Sequence, residues 1–287
     1  MTAVAARLPD GRLHLQQGPI DCLCRAWGPS DDVARAYAQA ADAFSAVLPT
    51  LCAELTLLRA PLPSLPPAGP VGRAMHAACA PYVDRFITPM AAVAGAVADH
   101  VLAAMLADTR LDRAFVNNGG DIAFHLAPGQ TLRCGLVGDL SAPALDAVMT
   151  LTADNPARGI ATSGRAGKGQ GGRSFSFGIA DAVTVLAGTA ARADAAATIV
   201  ANAVDLPGHP AIRRRAACDI DPDSDLGQRP VTVQVGALSP AELDAALDAG
   251  HTAAEGLRRA GLIIGAALLL GGRMRLAVAP TPAGMVS

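Results

Sequence analysis

Aromatic side chains are scarce: one tryptophan, two tyrosines and six phenylalanines make up 3% of the 287 residues. Because 51% of the chain is nevertheless apolar, its core must be built from Ala, Leu and Val, with helices packed closely. Lysine is scarcer still. Of 23 basic residues only Lys168 is a lysine, so the other 22 are arginine. With so much alanine, this reads as a GC-biased composition in which most arginines carry no message, whereas Lys168 stands in a glycine-rich loop. There is no basic excess either. A formal charge of −2 and a pI near 6.3 give no electrostatic case for nucleic acid. Six cysteines, at 22, 24, 52, 79, 134 and 218, form no CxxC pair, which argues against a zinc site or a disulfide framework. Cys22 and Cys24 share one face of a strand and read as packing residues. Long apolar runs are also missing. The most apolar stretch, 261–271 (GLIIGAALLLG), is about half the ~20 residues that span a bilayer and reads as a buried strand or hairpin. The opening MTAVAARLPDGRLHL lacks the apolar segment of a signal peptide. These absences together lead us to expect a reduced, cytoplasmic protein without membrane or nucleic-acid partners.

What is present points to a mixed fold. The length suits either a single large unit over 1–287 or two closely packed lobes, a helix-rich 1–110 and a ligand-site lobe 111–287. Residues 12–28 alternate as two strands about a Gly-Pro turn. Ser30 is then expected to cap a long Ala/Leu helix, with Asp31 and Asp32 in its first turn and a break at Pro49. Five prolines within 61–70 make a stiff connector. Helices are expected at about 71–80 and 90–108, carrying His76 and His100 as helix-face residues. From Asp112 the texture turns to strand and hairpin, with strands around 113–136, 145–152, 158–162 and 179–187. A helix follows at 190–203, a polar loop, a strand at 231–235, and a helix from Ser239 to about Arg259 opened by a capping box with Glu242. A hairpin closes the chain at 262–278. The class is α/β (α+β), a largely antiparallel sheet flanked by helices.

Three polar turns interrupt these apolar elements. The first is Asn117-Asn118-Gly119-Gly120-Asp121, where paired glycines let a ligand approach the backbone and Asp121 offers an acceptor. The second joins Thr162-Ser163-Gly164 to the loop Arg165–Ser174, which contains Lys168 and Arg173; with Gly164 this stretch has five glycines and three cations, which suit a phosphate group. It is not a Walker loop, since Gly follows Lys168. The third is Asp194 and Thr198, four apart on one helix face: one carboxylate and one hydroxyl, a sparse oxygen site of the kind magnesium accepts. By themselves the first reads equally well as a hairpin turn and the second is also a flexible surface loop, while the third reads first as a solvated helix face. His209 with Arg213–Arg215 and the alternating Asp219, Asp221, Asp223 and Asp225 read as solvated loops.

In order and spacing, FVNNGGDI, LRCGLV, GIATSG and ADAVTVLAGTAARADAAAT resemble the landmarks of ApbE-like proteins, the FAD:protein FMN transferases. The whole chain, with its opening RLHLQQGPID, looks more like an uncharacterised branch of that superfamily than a standard transferase. The resemblance implies that Asn117, Gly119, Gly120 and Asp121 contact a flavin nucleotide and that Thr162, Ser163 and Gly164 line its site. It implies magnesium on Asp194 and Thr198, phosphates held by Lys168, Arg165 and Arg173, and Asp121 orienting the nucleotide. Asp181, beside Ser174 and Ser176, is a candidate acid or base, or a strand cap. The sequence departs from the family at two places. The His-His-x-x-Asp-Pro segment of the transferases is replaced by RSFSFGIADAVTV, which has no histidine, and Arg165 stands where an acidic residue usually follows TSG.

Three functions follow as expectations. One is a magnesium-dependent enzyme that moves FMN from FAD to an acceptor flavoprotein. Another is a protein that binds a flavin or pterin without cleaving it. The third is a different enzyme using the glycine-rich loop for another anionic substrate. The alanine-rich helices also suit a homodimer interface.

Overall fold

The computed structural model describes residues 2–136, 147–164 and 175–279. Nine strands form one antiparallel sheet: β1 (Val4–Arg7), β2 (Leu13–Gln17), β3 (Ile20–Trp27), β4 (Arg113–Asn118), β5 (Asp121–Leu126), β8 (Gly159–Ser163), β9 (Ala182–Ala187), β12 (Gly265–Leu270) and β13 (Arg273–Ala277), in that spatial order. Each neighbouring pair is antiparallel, as the many tight turns require. β6 (Thr131–Leu136) and β7 (Ala147–Thr152) make a separate hairpin, and β10 (Ile212–Ala216) and β11 (Pro230–Val235) another.

Helices cover one face of the large sheet: α1 (Ser30–Ser45), α2 (Val47–Ala53), α3 (Leu55–Leu58), α4 (Pro70–Cys79), α5 (Val93–Leu106), α6 (Ala190–Ala203) and α7 (Pro240–Arg259). Strand residues Cys22, Cys24, Val116, Ala123, Ala161, Val183, Val185 and Leu268 point into that core, every second position, as a pleated strand requires. The opposite face is not bare. Phe124, Leu126 and Ile160 pack there with Leu151 of the β6–β7 hairpin, and Phe115, Leu132 and Met149 close around them.

Alanine makes the helical layer thin. α6, AARADAAATIVANA, is buried along nearly its whole length, and its first turn is wedged between β8 and α5. A side-chain carbon on Gly159 would lie 2.1 Å from Ala190 N, and one on Gly95 would lie 2.3 Å from Ala190 O. Only glycine admits these approaches. α5 together with the 3-10 turn before it (Pro89–Leu106) is long and apolar enough to cross a membrane. Its Val97, Ala98, Val101 and Met105 are instead buried among the other helices and the sheet, as in the core helix of a globular fold.

The local expectations fail in three places. Ser30 is the first residue of α1 rather than its cap: Pro29 stands at the cap, and no side chain bonds the first turn. The helix breaks at Ala46, not Pro49, because Pro49 falls in the first turn of α2, where its missing N–H costs nothing. Arg213–Arg215 lie in β10 rather than a loop, with Arg214 paired to Asp205. The capping box is present: Ser239 accepts from Glu242 N, and Glu242 from Ser239 N.

Candidate functional site

The β4–β5 turn is the first component. Asn118 pairs with Asp121 across a two-residue loop, with Gly119 and Gly120 at φ of 64° and 108°, backbone that a tight hairpin needs and glycine supplies. Asn117 Oδ1 accepts the Gly120 N–H at 2.8 Å. Apart from its chain neighbours, nothing lies within 4 Å of the place a side chain would occupy on either glycine, so this backbone is open to approach. Asn118 Nδ2 donates to Ala94 O at 3.1 Å, tying the turn to the start of α5.

Asp121 opens β5 on the helix-covered face and is 8% exposed. Its Oδ1 accepts the backbone N–H of Thr162 at 3.1 Å. Two of the sequence landmarks thus meet. The Thr162 hydroxyl does not take part. It points to the other face of the sheet and shares a hydrogen bond of 2.8 Å with Thr184. Gly164 has φ of 115° and packs against the carbonyls of Ala180 and Asp181, and Ser163 pairs with Val183 across the β8–β9 ladder.

Asp194 and Thr198 lie half-buried on α6. Asp194 Oδ2 accepts the N–H of Gly95 at 3.0 Å, one of the unsatisfied donors in the first turn of α5. Asp99, which sequence reading passed over, answers from the other helix: its two oxygens accept the N–H groups of Ala190 and Ala191 at 3.0 and 2.9 Å. The available signal was a lone carboxylate in the run VAGAVADHVLAAML, apolar except for it and His100.

Burial dominates the electrostatics. It pushes the Asp121 carboxyl well above the usual carboxylate range; the charge on Asp194 pushes the same way, and the Thr162 N–H only partly offsets them. Burial likewise raises Asp194 to about 7, against the N–H groups of Gly95 and Ala94 and with a contribution from the Asp99 charge. Asp99 is itself raised by burial, despite its two backbone donors. Among the described residues no ion pair reaches Asp121 or Asp194. Burial drives both acids towards their neutral forms, and the charge on Asp194 makes ionisation of Asp121 harder still.

Other predicted residues stand apart. Asp181 Oδ2 accepts the Gly271 N–H at 2.7 Å and so braces the β12–β13 turn. Ser176 is buried at the far end of α6, where its hydroxyl donates to Asn202 Oδ1. Arg165, Lys168, Arg173 and Ser174 lie outside the described residues. His209 pairs with Glu242 at 2.9 Å, and Asp225 accepts from the Thr88 hydroxyl. Two surface depressions, of about 740 and 470 Å³, lie elsewhere. One is between the starts of α1 and the end of α5 (Asp31, Arg35, Asp108), the other beside α7 (Arg85, Thr252, Leu257). Both are wide open to solvent, and neither is lined by Asp121 or Asp194.

Comparison with known proteins adds two findings. A family model described as AbpE bacteria matches residues 5–276. A UPF0280 protein of Methanothrix thermoacetophila is 37% identical over 153 residues, 53% of this chain and 59% of the relative. One from Methanosphaerula palustris is 39% identical over 120 residues, 41% of this chain and 47% of the relative. The chain thus spans about half the length of the curated relatives it matches.

Proposed function

Because the chain belongs to the AbpE bacteria family, we propose that it is an ApbE-like protein that binds a flavin nucleotide, FAD, with magnesium beside Asp121 and Asp194. The observation behind this reading is the pair formed by the buried Asp121 and the half-buried Asp194, both with raised pKa and neither paired with a basic side chain among the described residues. A divalent cation relieves that repulsion. The donors are oxygens, the kind magnesium takes; among the described residues no group of three or more His, Cys, Asp or Glu stands together. Magnesium is commonly held by one or two carboxylates, completing its shell with water and substrate phosphates.

Asp194 and Thr198 would hold the ion, with the Asp121 charge beside them. The ion would supply charge neutralisation on the pyrophosphate of the nucleotide. The open backbone at Gly119 and Gly120 gives the ligand a place to approach, and Asn117 keeps that turn in shape. Lys168, Arg165 and Arg173 are the cations we assign to its phosphates. Asp181 is given no part in this chemistry, since its carboxylate braces a turn.

One observation favours binding over transfer to an acceptor flavoprotein. The interval between Gly164 and β9 holds no histidine, where the transferases carry two.

Fluorescence titration with FAD, FMN and a pterin, with and without magnesium, tests the assignment. We expect magnesium-dependent FAD binding that Asp194→Ala removes. Failure of FAD to bind with magnesium, or equal binding by Asp194→Ala, would sink the reading. Release of AMP from bound FAD would then separate transfer chemistry from binding alone.

A further inference from the structure

α6 meets α5 through alanine and glycine. The seating of Gly95 against the Ala190 backbone fixes how closely the two helices approach, while the methyl groups around it make only shallow ridges against a slide or rotation. Directional bonds add to the register. The bonds between the two helix starts converge on two carboxylates: Ala190 N–H and Ala191 N–H, with the Thr189 side chain, on Asp99, and Gly95 N–H, with Ala94 N–H, on Asp194. Each helix therefore has its N-terminal donors satisfied by a carboxylate of the other. Asp99 lies four residues after Gly95, and Asp194 four after Ala190, so the two contacts sit about one turn apart on both helices. Two points a turn apart stop both sliding and rotation; one point leaves a pivot.

We propose that Asp99 is the positioning residue of the carboxylate site: by clamping the first turn of α6 onto α5, it sets where the Asp194 carboxylate stands against Gly95. Asp99 touches no ligand in this scheme and acts through Asp194. Its effect on metal uptake rests on the function proposed above, whereas its effect on Asp194 does not.

The test has a metal-free arm and a metal arm. In the metal-free protein, native-state hydrogen exchange is followed at the Gly95, Ala190 and Ala191 amides. In the wild type the three amides should open together, because breaking one end of the clamp releases the other. Asp99→Asn should lower Gly95 protection by about tenfold or more, and the smaller Asp99→Ser serves if the first variant does not fold. Glu54→Ala is the control. Glu54 accepts two backbone N–H bonds, from Ala68 and Gly69, at the start of α4, so its loss weakens the fold at another helix start.

In the metal arm, Mn2+ is titrated as a paramagnetic substitute for magnesium. Asp99→Asn should raise its dissociation constant by about 10-fold to 100-fold, the range for residues that orient a metal ligand, while Glu54→Ala leaves it unchanged. Gly95 protection unchanged in Asp99→Asn, or lowered equally in Glu54→Ala, overturns the proposal; so does a wild-type Gly95 amide that opens independently of Ala190 and Ala191. If wild-type protein takes up no Mn2+, the magnesium reading fails and the exchange data alone decide the role of Asp99.

Discussion

Asp121 and Thr162 are 41 residues apart in sequence, and the carboxylate of the first accepts the backbone N–H of the second at 3.1 Å. The bond joins the Asn-Asn-Gly-Gly turn to the strand that ends Thr-Ser-Gly. It turns two separate sequence signals into one site, with Asp121 facing α6 and its carboxylate out of water.

The pH dependence of stability follows from the same burial. Asp121 and Asp194 carry folded-state pKa values above those of an unfolded chain, Asp194 at about 7. From roughly pH 4 upward the folded protein holds protons that the unfolded chain has lost, so stability falls as pH rises towards and through about 7. In chelator, the melting temperature at pH 8 should lie roughly 5 °C below that at pH 5, given about 2–4 °C per kcal/mol for chains of this size. Asp121→Asn, which keeps an oxygen for the Thr162 N–H and removes the second charge, should flatten the profile. A wild-type profile that is level from pH 5 to 8 would contradict the buried, uncompensated pair.

Close helix seating makes Gly159 irreplaceable. In Gly159→Ala the new methyl would meet backbone atoms of Thr189 and Ala190 at 2.1 Å, and neither can rotate away. Overpacking of this kind costs about 1–3 kcal/mol or more. The variant should melt at least about 5 °C lower, or fail to accumulate as folded protein. Gly188→Ala, where nothing lies within 4 Å, is the comparison and should behave as wild type. Equal melting of the two would refute the wedged placement of α6.

The hydroxyl pair of Thr162 and Thr184 should behave as a coupled unit. Thr184 is buried, and its hydroxyl meets that of Thr162 at 2.8 Å. Thr162→Val leaves one hydroxyl without its partner, a cost of about 1–3 kcal/mol, whereas removing both can be nearly neutral. A double-mutant cycle by denaturant unfolding should therefore find Thr162→Val/Thr184→Val more stable than the sum of the single changes. Strict additivity would show that the hydroxyls do not depend on each other. FAD affinity gives a second readout: if only the Thr162 backbone serves the site, Thr162→Val should bind FAD as wild type does.

Much of the architecture was legible along the chain. Period-two alternation marked β2, β3, β4 and β5, and glycine-bearing steps marked their turns. The α6 boundaries and the Ser239–Glu242 capping box were readable because the bonds involved are local. β1 and β10 were not. β1 is four residues long with every side chain exposed, so no alternation marks it, and β10 reads Ile-Arg-Arg-Arg-Ala, a composition that suits a loop equally well. The start of α1 was misread because Ser30 has the chemistry of a cap but stands one residue too late.

The candidate site divides along the same line. The sequence by itself determined which groups are available: the Asn-Gly turn, the Thr-Ser-Gly strand end, and Asp194 and Thr198 on one face of an alanine helix, because those patterns depend on spacing within a single element. Only the tertiary structure decided which groups meet. It turned the Thr162 hydroxyl away, because strand side chains alternate between faces, and spent Asp181 on the Gly271 turn. It also brought in Asp99 from another helix and placed Asp121 within the field of Asp194. The charge state of that pair depends on burial and on neighbours distant in sequence, and both arise only when the sheet and its helices pack.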